Sequence, residues 1–108
     1  MKKRTNTYIL VDGHPLRCTD IGAWLRWLEH SHQERQVKKT QLGTVNVSTL
    51  FLGFDCNATA DGPPWIYETT VHGGELHRRS WLCSTKEQAS LHHDKIVAQI
   101  QEAESTRH

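Results

Sequence analysis

Between residues 45 and 80 the chain alternates apolar and polar positions with a period of two. Val45, Val47, Thr49 and Phe51 fall on one side of a strand, and Asn46, Ser48, Leu50, Leu52 and Phe54 on the other. A second run, Trp65 to Val71, sets Trp65, Tyr67, Thr69 and Val71 against Ile66, Glu68 and Thr70. Residues 55–64, rich in Asp, Asn, Gly and Pro, separate the two runs, and Gly73-Gly74 ends the second. The pattern predicts a β-hairpin with a long connection. The change from polar to apolar along Asn46, Ser48, Leu50, Leu52 predicts that this side is covered only toward the end of its strand.

The flanking segments complete the expected fold. Tyr8-Ile9-Leu10-Val11 is continuously apolar and predicts a short buried strand, ended by Asp12-Gly13 and Pro15. Thr19 or Asp20 can cap a helix carrying Ile21, Trp24, Leu25 and Leu28 on one face, with Trp27 on its flank. Residues 31–34 read as a polar connector. Gln36 to Leu42 predicts a partly exposed strand turned by Gly43 into the hairpin, and Lys38-Lys39 suit a solvated sheet edge. Ser80 to Cys83 is a brief strand. The spacings Ser84/Glu87 and Thr85/Gln88 are capping boxes opening a helix whose Ala89, His93, Ile96, Val97 and Ile100 form one stripe. That helix is expected to fade after Ala103, with residues 1–6 and 104–108 as loose tails. The order predicts a single α+β domain over residues 1–108: a mainly antiparallel sheet of about four to five strands, packed on one face by two helices.

The strings VSTLFLGFD, GPPWIYETTVHGG and W-x-x-S-T-x-x-x-A-x-x-x-H, with a Trp-rich helix ahead of them, resemble a family of short uncharacterised bacteriophage and prophage proteins. The resemblance spans roughly residues 20 to 97. It implies a phage genomic context and carries over no catalytic residues. Cys56 stands where many of those relatives carry His, and His72 where they often carry Phe, so neither is implied as a shared ligand or catalytic group.

Composition narrows the chemistry. A formal charge of +1 gives no general attraction to nucleic acid, so only a local basic face from Arg35, Lys38, Lys39, Arg78 and Arg79 would serve. No run approaches the length of a membrane span, and Met1-Lys2-Lys3-Arg4 is followed by no apolar core of signal-peptide length. The expectation is a cytoplasmic protein. Cys18, Cys56 and Cys83 are odd in number and far apart, which favours free thiols. Eight histidines raise the question of a metal, but no C-x-x-C or H-x-x-x-H pair exists, and a site would need His14, His72 and His93 to converge. Cys83 precedes a helix N-terminus, which could support a thiolate nucleophile, beside its ordinary role as a small core residue. No phosphate loop, nucleophile elbow or paired-carboxylate signature is present.

The expectation is therefore a protein without enzymatic activity or cofactor. It would act by binding a bacterial host protein, to inhibit a host defence system. The candidate contact residues are Trp27 on the helix flank and Asp55, Asn57, Asp61 and Trp65 on the loop held by the hairpin. A homodimer would use the same surface. The alternative is a small-molecule or nucleotide pocket between hairpin and helices, with His93 and Tyr67 as its test residues.

Overall fold

The computed structural model describes residues 6–59 and 61–105. The expectations for residues 1–5 and 106–108 lie outside the described residues. Asp12 and Gly13 adopt φ of 52° and 80° and form a two-residue turn that folds Tyr8–Val11 (β1) onto His14–Arg17 (β2). Ile21–His30 (α1) and His32–Arg35 (α2) follow, then Gln36–Leu42 (β3), Val45–Phe51 (β4), Tyr67–His72 (β5), Ser80–Cys83 (β6) and Lys86–Ser105 (α3). The strands make two antiparallel sheets: β1-β2, and the four-stranded β3-β4-β5-β6 in sequence order. This is an α+β fold.

The period-two alternation is realised from Val45 to Phe51 and from Tyr67 to Val71; ahead of β5 it fails, since Trp65 is exposed and Ile66 is buried in the core beside Tyr67. Val45, Val47, Thr49 and Phe51 of β4 and Tyr67, Thr69 and Val71 of β5 are buried beneath α3, which crosses all four strands. The opposite side carries the rows Lys39, Ser48, Thr70, Ser80 and Leu50, Glu68, Leu82, half-buried or exposed. The α3 stripe also matches its spacing, with Ala89, His93, Ile96 and Ile100 buried. Thr85 accepts the Gln88 amide at 3.1 Å, and the Gln88 side chain accepts the Ser84 amide at 3.1 Å, closing the helix start.

Several expectations are corrected. The predicted single sheet is two, because the turn at Asp12-Gly13 returns the chain at once. Pro15 does not end the strand: it sits opposite Leu10, at a position whose N–H would point away from β1. β1 is not buried throughout, since only Leu10 is enclosed while Val11 is exposed. Residues 32–35 form a helical turn. Asn6 is no loose tail: its carbonyl accepts the Asp55 amide at 3.0 Å. Glu104 and Ser105 continue α3. On α1, Ile21 and Leu25 are exposed by 53% and 50%, and the inward residues are Ala23, Trp24, Trp27 and Leu28. The helix is rotated because the Trp24 indole donates to the Gly53 carbonyl at 2.9 Å and Trp27 packs edge-on against Phe51 at 5.9 Å. Thus α3 alone spans the four-stranded sheet, while α1 packs on β1 at the Phe51 end.

The core has two apolar parts. Leu10, Phe51, Ile66, Tyr67, Cys83 and Ala89 form one, against which Tyr8, Trp27 and Val37 pack. Val45, Val47, Val71, Ile96 and Ile100 form the other. A polar layer separates them.

Candidate functional site

That layer is built around His93. Its Nδ1 lies 2.8 Å from Thr49 Oγ1, its Nε2 lies 2.8 Å from Thr40 Oγ1, and Thr49 is 2.6 Å from Thr69 Oγ1. His93, Thr49 and Thr69 are fully enclosed. A neutral imidazole offers one donor and one acceptor, so both ring nitrogens are satisfied by hydroxyls that turn to suit either tautomer. Burial pushes the His93 pKa below its ordinary value; Asp94 acts against this and Lys38 with it. Lys38 and Asp94 form an ion pair at 2.9 Å beside the layer. His93 thus belongs to the core.

The loop after β4 is held from inside. Asp55 Oδ1 accepts the amides of Asn57 at 2.8 Å and Trp65 at 3.0 Å. Asn57 Nδ2 donates to the carbonyls of Asp61 and Pro63 at 3.0 and 3.1 Å, and its Oδ1 accepts from the Thr59 amide and hydroxyl. Both residues are buried, so they shape the loop rather than face solvent. Trp27 is likewise turned into the core. Of the five residues expected to meet a partner, Asp61 and Trp65 remain on the exposed surface. Asn57→Ala should release the loop, lowering stability by about 1–2 kcal/mol and opening residues 57–63 to proteolysis. Thermal unfolding and limited digestion check this; an unchanged cleavage pattern would show that the loop holds its shape without Asn57.

An apolar surface stands outside the sequence expectations. Alternation puts Thr7, Ile9 and Val11 on the outer side of β1, and the register sets Leu16 beside Ile9 and His14 beside Val11. An antiparallel bridge from Thr7 to Phe54 extends this side. Val11, Leu16 and Phe54 are 43%, 51% and 43% exposed. The result is an apolar strip on a two-stranded antiparallel ribbon. Its signal in the sequence is the Asp12-Gly13 dipeptide between Tyr8-Ile9-Leu10-Val11 and His14-Pro15-Leu16-Arg17, which is a hairpin signature.

Where the turn of β1-β2 approaches the start of α3, a half-open cleft of about 410 Å³ is lined by Asp12, His14, Tyr67, Thr85, Lys86 and Glu87, among others. Tyr67, one of the two residues expected at a small-molecule pocket, reaches this cleft. Its hydroxyl pKa is pushed up to about 12, by burial first and then by Glu87 and Cys83.

Among the described residues no group of three His, Cys, Asp or Glu side chains could hold a metal. His93 is in the core, His14 is on β2, and His72 lies at the end of β5, its ring 6.3 Å from that of His77. Burial pushes the Cys83 thiol up, which favours the thiol over a thiolate, while the Thr85 backbone acts against it; Sγ lies 3.7 Å from the Thr85 carbonyl. The basic residues do not converge. Arg35 folds back onto Ser31 and the Leu28 carbonyl, Lys38 is paired with Asp94, and Arg78-Arg79 lie at the opposite end of the sheet beside Val71. Among the described residues no helix is long and apolar enough to cross a membrane. No family model, curated protein or solved structure matches the chain.

Proposed function

We propose that this chain is a non-enzymatic phage or prophage accessory protein that binds a protein of the bacterial host, in the host cytoplasm, and thereby inhibits a host defence system. The phage context rests on the resemblance of the VSTLFLGFD and GPPWIYETTVHGG segments. The mode of action rests on one observation: the apolar strip of Val11, Leu16 and Phe54 on a backbone-bonded ribbon. Exposed apolar side chains held by hydrogen-bonded backbone lose little freedom on docking, which favours association with an apolar partner surface.

The test is to purify the tagged protein from a bacterial host, identify by native mass spectrometry a host protein present in stoichiometric amount, and rebuild the complex from pure components. Leu16→Glu and Phe54→Glu should each weaken that complex about tenfold or more while leaving the thermal unfolding midpoint nearly unchanged. A complex indifferent to both substitutions, or a preparation containing only homodimer, would sink the proposal.

A further inference from the structure

The cleft between the β1-β2 turn and α3 adjoins the apolar strip at the turn, where His14 both lines the cleft and pairs with Val11, but its chemistry is different. Its floor includes Tyr67, only 2% exposed, whose ring is packed edge-on against Phe51 at 5.3 Å. Tyr67 sits in a strand bonded on both sides, so its side chain is the part that reaches the cleft. The hydroxyl makes no hydrogen bond to another described residue. It is not among the side-chain atoms sealed from solvent without a partner, so the hydroxyl is the part of this otherwise buried residue that opens to the cleft. It is protonated throughout the physiological range, as a tyrosine hydroxyl ordinarily is, and burial followed by Glu87 pushes its pKa up further. It is therefore a fixed donor aimed at whatever occupies the cleft.

The rim supplies groups of both signs. The 20-residue helix α3 begins here. Thr85 takes the Gln88 amide, leaving the amides of Lys86 and Glu87 without an acceptor inside the helix. These N–H groups, the positive end of the helix dipole and the Lys86 ammonium favour a negatively charged oxygen. Asp12 and Glu87, lining the same cleft, favour a positively charged or donating nitrogen. A purely anionic molecule would meet these two carboxylates, and a purely cationic one would meet Lys86 and the helix start. A zwitterion satisfies both.

We infer that this cleft binds a small zwitterion of the amino-acid class, its carboxylate held by the Tyr67 hydroxyl, the Lys86 side chain and the first amides of α3, and its ammonium by Asp12 and Glu87. The volume of about 410 Å³ lies within the range of small-molecule sites. Val11, Leu16 and Phe54 do not line the cleft, so substitutions at Leu16 and Phe54 test the protein-binding proposal separately from this one.

The test is titration of the ¹⁵N-labelled protein with free L-serine, L-leucine, L-glutamine and L-lysine, with acetate and ethylamine as single-charge controls. At least one amino acid should saturate with Kd below about 10 mM, moving the amides of Gly13, Lys86 and Glu87. Acetate and ethylamine should bind at least about tenfold more weakly. Tyr67→Phe keeps the ring packed on Phe51 and removes only the unpartnered hydroxyl. Its unfolding midpoint should match the parent while its affinity falls about tenfold. Absence of saturable binding by any of the four amino acids overturns the inference. So does acetate or ethylamine binding as tightly as the best amino acid, or a Tyr67→Phe protein of unchanged affinity.

Discussion

His93→Ala is expected to lower stability by about 3–5 kcal/mol, comparable to truncating a buried aromatic side chain. Two costs add. The first is the cavity left between α3 and the sheet, where His93 is 1% exposed. The second is the loss of partners for Thr40 and Thr49, which meet the two ring nitrogens at 2.8 Å each. His93→Leu separates them. It fills most of the space and leaves the 2.6 Å Thr49–Thr69 bond, so its cost should be about 1–3 kcal/mol. Urea unfolding at neutral pH measures both, and an Ala variant within about 1 kcal/mol of the parent would show that the layer contributes little.

The same residue gives the stability a pH dependence with a definite sign. Burial lowers the folded-state pKa of His93, against the pull of Asp94 and with the push of Lys38. Below its ordinary value of about 6.5 the unfolded chain therefore takes up a proton that the folded chain resists. Stability contributed by neutral His93 is fully present above that value and is lost as pH falls from there through the folded pKa. Urea midpoints at about pH 7.5 and about pH 5, on either side of the ordinary histidine value, should show a decline in the parent that is smaller in His93→Leu. Equal declines in the two proteins would place the acid sensitivity elsewhere.

The features legible in the sequence are those set by neighbours along the chain. Alternation from Val45 to Phe51 is enough to place Thr49 on the inner face, and helical spacing is enough to place His93 on the stripe that meets it. That these two positions, with Thr40 and Thr69, form one polar layer depends on register between β3, β4 and β5, which no local pattern encodes. The orientation of α1 escapes the pattern for a related reason. Ile21 and Leu25 fit the apolar stripe as well as Trp24 and Leu28, but the indole bond to Gly53 and the contact of Trp27 with Phe51 decide the rotation. Polarity alone points Asp55 and Asn57 outward; inside a chain turning on itself, their side chains instead replace missing backbone partners. The apolar strip is hidden by Pro15, which reads as a stop although an edge strand tolerates it. The cleft has no signal at all, since Asp12, Tyr67 and Lys86 come together only in three dimensions.

Gly73→Ala should be among the most damaging single-methyl changes in the chain, costing on the order of 3 kcal/mol or more. Gly73 ends β5 with φ of 95°, a conformation that side chains rarely adopt, and a Cβ there would stand 2.6 Å from the Thr44 carbonyl oxygen. That oxygen belongs to backbone entering β4, so relief requires moving the hairpin rather than turning a side chain. The Gly73 amide also donates to His77 Nδ1 at 2.7 Å, tying the turn that carries Arg78 and Arg79 back toward β6. Gly43 supplies the control. Its φ of 62° is also left-handed, but no described residue beyond its chain neighbours lies within 4 Å of the position a Cβ would take. Gly43→Ala should therefore cost only the conformational part, about 1 kcal/mol. For a domain of this size the two variants should melt roughly 12 °C or more and roughly 4 °C below the parent, respectively. Equal shifts for the two would mean that backbone conformation alone governs both sites, and that the approach of β4 to the Gly73 turn is looser than the 2.6 Å separation implies.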